Sequence, residues 1–70
     1  EYGMDYAELV KNEAAPTEIQ QYLAQGEQTA FTVRIPKNLL DSAKEAASMK
    51  GMAFSAFVRM CLIEELKKGL

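Results

Sequence analysis

Apolar positions recur at two different periods along the chain, and the change of period divides it. Tyr6, Leu9 and Val10 sit at i, i+3, i+4, and Ile19, Tyr22 and Leu23 repeat that spacing. This is the spacing of one helix face, so two short helices are predicted. Asp5 followed by Glu8 reads as the start of the first. Thr17 with Gln20 reads as a capping box for the second. Pro16 ends anything upstream, and Gly26 suits a C-terminal stop. Both patterns are shorter than the ~12 residues at which an isolated helix becomes marginal. They need something to pack on, either the rest of this chain or a partner that orders them on binding.

Beyond Gly26 the period falls to two. Phe31, Val33 and Ile35 alternate with Ala30, Thr32 and Arg34, in a run rich in β-branched residues, so residues 29 to 35 are predicted to form one strand. After Pro36 the helical period returns. Leu39, Leu40, Ala43, Ala46, Ala47 and Met49 make one apolar stripe, with Pro36 suited to the first turn and Gly51 to the stop. A second helix is predicted over roughly 54–68. From Ser55 to Ile63 only Ser55 and Arg59 are polar, so this helix is apolar on nearly every side.

Those elements leave surfaces that one copy cannot cover. A lone strand has no edge to pair with, and an apolar helix needs more than one neighbour. A homodimer answers both needs, its strands pairing antiparallel and its second helices burying each other. The expected fold is therefore mainly α with one strand per chain: an intertwined homodimer with an intermolecular two-stranded ribbon and a short helical N-terminal extension. The expected dimer core is Phe31, Val33, Ile35, Leu40, Phe57, Val58, Cys61 and Leu62. Residues 1–28 form the extension, and residues 29–70 form the dimerising domain.

At 70 residues, this is room for one small domain. With no His at all, a His base, a His-paired nucleophile and a His metal ligand are excluded. The single Cys61 can close no internal disulfide and no Cys-rich zinc site. No Gly-rich phosphate loop is present. An enzyme is not expected, nor a metal or other cofactor. No run approaches the roughly 18 apolar residues of a membrane span, and no signal-peptide pattern is read. One free thiol suits a reducing cytosol, so a cytoplasmic protein is expected.

The net charge of −2 conceals a split. Residues 1–28 set Lys11 against Glu1, Asp5, Glu8, Glu13, Glu18 and Glu27, leaving −5. Residues 29–70 carry seven bases against four acids, leaving +3. An acidic arm thus precedes a mildly basic core. A solvated surface would have such charges too, and so would a protein with an anionic ligand.

In a paired ribbon, Ala30, Thr32 and Arg34 would face outward. A two-stranded ribbon fits the DNA major groove, where Arg34 can bond guanine bidentately and Thr32 can meet a base edge or a thymine methyl. Ala30 offers apolar contact alone. The same alternation is found on ordinary solvent-facing strands.

Phe-Thr-Val-Arg-Ile-Pro at 31–36, Leu39-Leu40, and Gly-Met-Ala-Phe-Ser-Ala-Phe-Val-Arg at 51–59 together resemble the ribbon-helix-helix family of prokaryotic DNA-binding proteins, the Arc/MetJ/CopG type. The resemblance spans residues 29–68. It implies an obligate dimer on double-stranded DNA, with base-facing positions on Ala30, Thr32 and Arg34. It also implies a phosphate clamp at the second helix's N-terminus, on Ala53, Phe54 and Ser55, with Lys50 beside it. Ala53 departs from the Ser or Thr that the family often places at the cap.

The resemblance implies a transcriptional repressor, autoregulatory in many members and often the antitoxin half of a toxin–antitoxin pair. A toxin would then be the protein partner of residues 1–28, and dimers can assemble further on DNA. Two other readings stand beside it. One is an accessory protein of plasmid transfer or partition. The other is a protein–protein module acting through the acidic arm. Arg59 is expected to meet a carboxylate at the dimer interface.

Overall fold

The computed structural model describes residues 5–68. Glu1, counted among the acids of the arm, lies outside them, as do the two ends of the expected domains. Four helices follow one another: α1 Tyr6–Lys11, α2 Pro16–Leu23, α3 Lys37–Met49 and α4 Phe54–Lys67.

The strand is the main correction. Residues 27–36 carry no regular secondary structure, and no strand or sheet is present among the described residues. A mainly-α fold with one strand and an intermolecular ribbon is replaced by four helices. The physical reason lies in what a strand is. Alternating side chains favour extended backbone, but a strand exists only when its N–H and C=O groups meet a second edge. Within a single copy, the described residues offer 29–35 no such edge.

The helices group into two compact units, one of Glu1–Glu27 with Leu62–Leu70 and one of Gln28–Cys61, α4 contributing to each. In the first, Asp5 starts α1 by accepting the Glu8 N–H at 3.0 Å. The helix ends on Glu13, which is left-handed at φ 58°. There the Glu13 N–H donates to the Val10 carbonyl at 3.0 Å and the Ala14 N–H to the Leu9 carbonyl at 2.9 Å. This paired closure satisfies two orphan carbonyls.

The start of α2 differs from the expected Thr17–Gln20 box. Ala15 is the cap, Pro16 opens the helix, and the Glu18 carboxylate accepts the Ala15 N–H at 3.1 Å. Proline at the first helical position needs no N–H partner, and it draws the start two residues upstream of Thr17. α1 packs on α2, and Ile19 is buried at 3% exposure. Full burial of such a side chain contributes about 1.5–3 kcal/mol. Tyr6 then ties α1 to α4, its hydroxyl donating to the Leu66 carbonyl at 2.9 Å. Leu66 lies in the last turn of α4, where carbonyls lack helical partners.

In the second unit α3 starts after Pro36, whose carbonyl accepts the Leu40 N–H at 3.1 Å. It ends at Gly51, left-handed at φ 68°. The Gly51 N–H donates to Ser48 at 3.0 Å and the Met52 N–H to Ala47 at 2.9 Å, repeating the closure of α1. Ala47 is buried at this end. The chain then turns, so that α3 and α4 are inclined by 99°. No single helix among the described residues is long and apolar enough to cross a membrane.

Candidate functional site

The expected base-facing residues Ala30, Thr32 and Arg34 are all exposed, on the irregular segment before α3. Lys50 is the C-cap of α3 and is exposed. Its backbone N–H is shared among carbonyls of the last turn. The Ala53 carbonyl accepts the Phe57 N–H at 2.9 Å, the first such bond of α4. Ser55 is exposed in the first turn, and Phe54 is half-buried beside it. A helix start of this kind presents free N–H groups and positive dipole.

Charge in this unit is lopsided. Residues 28–61 carry Arg34, Lys37, Lys44, Lys50 and Arg59 against Asp41 and Glu45. Lys37 pairs with Asp41 at 2.8 Å, in an exposed i, i+4 contact worth little. The other ion pairs among the described residues are Lys67–Glu64 and Lys68–Glu65. Arg34, Lys50 and Arg59 therefore have no carboxylate partner among the described residues. Arg59, expected to meet a carboxylate at a dimer interface, is exposed.

The residues expected in a dimer core are spread over both units. Phe31, Val33 and Ile35 are exposed, Phe31 at 69%, and Leu62 is 49% exposed. Cys61 is exposed as a free thiol. Leu40, Phe57 and Val58 are half-buried. The buried side chains among the described residues are Ile19 and Ala47. No cluster of three or more Asp, Glu or Cys able to hold a metal ion occurs among the described residues.

Sequence reasoning missed a cleft between α1, the loop after it and α2. It is open to solvent, has a volume of about 480 Å³ and is lined by Leu9, Asn12, Ala14, Glu18, Gln21, Tyr22 and Gln25. The signal for it was the Ala-Pro-Thr-Glu run, which sets where α2 begins and so which side chains face α1.

A family model described as the CopG antitoxin of type II toxin–antitoxin systems matches residues 2–65. No curated protein and no solved structure matches the chain.

Proposed function

The chain belongs to the CopG antitoxin family of type II toxin–antitoxin systems, and we propose that it neutralises a protein toxin and binds operator DNA to repress its own operon. The observation that carries this reading is the span of the family match, residues 2–65, which takes in both the acidic segment and α3 with α4. An antitoxin is a regulatory protein rather than an enzyme.

The toxin-binding part is assigned to residues 1–28. Asp5, Glu8, Glu13, Glu18 and Glu27 give it a charge that attracts a basic partner. The DNA-binding part is assigned to Gln28–Cys61. Arg34 and Thr32 would meet base edges, while Lys50 and the N–H groups of Phe54 and Ser55 would meet phosphate. The α3–Gly51–α4 order supports kinship with the Arc/MetJ/CopG group. The acting form is a homodimer, a reading supported by the exposure of Phe31, Leu39 and Leu62. It acts in the cytoplasm, where the thiol of Cys61 stays reduced.

Co-expression with the product of the adjacent gene tests this reading. Growth arrest caused by that product is relieved by the full chain and persists when residues 1–27 are deleted. Equal relief by the deleted chain would remove the arm from the mechanism. No relief by the full chain would end the antitoxin assignment.

A further inference from the structure

The α1–α2 cleft brings apolar side chains together with one carboxylate, Glu18. Leu9, Ala14 and Tyr22 supply the floor, and Tyr22 is 39% exposed although aromatic. Its volume of about 480 Å³ is that of a site for a few side chains. Glu18 lines it and, besides accepting the Ala15 N–H, keeps acceptor capacity to spare. No cation lines it, since Lys11, the one base of residues 5–27, is absent from the wall. Asp5, Glu8, Glu13 and Glu27 lie outside its lining but make the segment that carries it acidic, and none of them is in an ion pair among the described residues.

An occupant must bring positive charge and apolar surface together. A free polyamine brings the charge and leaves Leu9 and Tyr22 wet. A long cationic side chain brings both, its stem lying on apolar surface and its head reaching polar groups. Arginine fits best, because its planar guanidinium stacks on an aromatic ring and bonds a carboxylate with two parallel N–H groups. We propose that this cleft receives an arginine-bearing apolar segment of the toxin, the arginine stacked on Tyr22 and bonded to Glu18. The proposal rests on the antitoxin reading and names where, and by what chemistry, the partner is held.

The test uses the full chain, isotope-labelled, and an amphipathic peptide of Leu, Ala and Arg of roughly 15 residues, long enough to turn helical. A second peptide carries Glu for each Arg, and spermidine is the third probe. The arginine peptide is expected to shift the amide signals of Leu9, Ala14, Gln21 and Tyr22, and the other two probes leave them in place. Glu18→Gln keeps an acceptor for the Ala15 N–H but removes the charge. Gln21→Arg places a like charge on the rim without touching the core. Each is expected to weaken the arginine peptide about fivefold. Unchanged affinity in both variants would overturn the proposal. So would shifts centred on Phe31, Val33 and Leu39, or an equal response to spermidine. Toxin relief is scored separately. If the full chain relieves the toxin and both variants relieve it equally, the cleft assignment falls alone. If the peptide seats in the cleft but no toxin is relieved, the antitoxin reading falls instead.

Discussion

Glu13 and Gly51 occupy the same left-handed position after a helix, and the two residues suit it unequally. A left-handed conformation costs a residue with a Cβ roughly 1–2 kcal/mol, and glycine escapes that cost. A Cβ built on Gly51 would meet no atom within 4 Å, so Gly51→Ala isolates the backbone effect. It is expected to lower stability by about 1 kcal/mol, or roughly 4–8 °C in Tm for a domain of this size. Glu13→Gly is expected to act in the opposite sense, raising the urea midpoint with an unchanged slope. A fall in that midpoint would mean that the Glu13 side chain contributes more than its backbone costs. Gly51 was legible because glycine after a helical stripe announces a stop. Glu13 was not, because a glutamate gives no sign of left-handed backbone. The Asp5 cap was legible from its spacing to Glu8, whereas the Ala15 cap has no side chain to betray it.

At the scale of elements, helical periodicity carried over well and strand periodicity did not. The stripe from Leu39 to Met49 lies on α3, and the apolar run after Gly51 lies on α4. Helices close their hydrogen bonds within a local segment, so a local pattern suffices to place them. A strand needs a second edge, which no local pattern supplies, and residues 29–35 remain irregular. The tie between α1 and α4 was equally invisible, since Tyr6 and Leu66 are 60 residues apart. Its contribution is measurable. Tyr6→Phe keeps the ring and removes the donor, returning the Leu66 carbonyl to water. Loss of about 0.5–1.5 kcal/mol is expected. Hydrogen exchange should quicken in the last turn of α4, and trypsin should cut faster after Lys11. Exchange unchanged from the parent would show that the contact adds no stability.

The whole molecule is organised by charge more than by a core. Its acids gather in residues 1–28 and its bases in residues 29–70, while few side chains are fully buried. So little buried surface gives a chain of this size only a small hydrophobic contribution to stability. The charge split was fully legible from the sequence. Phe31, Val33 and Leu62, expected in a dimer core, are exposed. In the proposed division of labour, one end of this charge gradient holds the toxin and the other holds DNA. Binding to DNA should therefore weaken steeply with salt, because each phosphate contact made by Arg34, Lys50 or a neighbouring cation releases a counterion.

The most direct test is selection of bound sequences from a random double-stranded DNA pool at about 0.15 M salt, where the phosphate contribution alone no longer passes for specificity. Arg34→Ala is run in parallel. The account predicts one enriched short site for the parent chain, with affinity for that site reduced by about 1–3 kcal/mol in the variant. No enrichment from a well-folded chain would contradict the repressor half of the account, and an identical site with identical affinity in Arg34→Ala would contradict the assignment of Arg34 as a base reader.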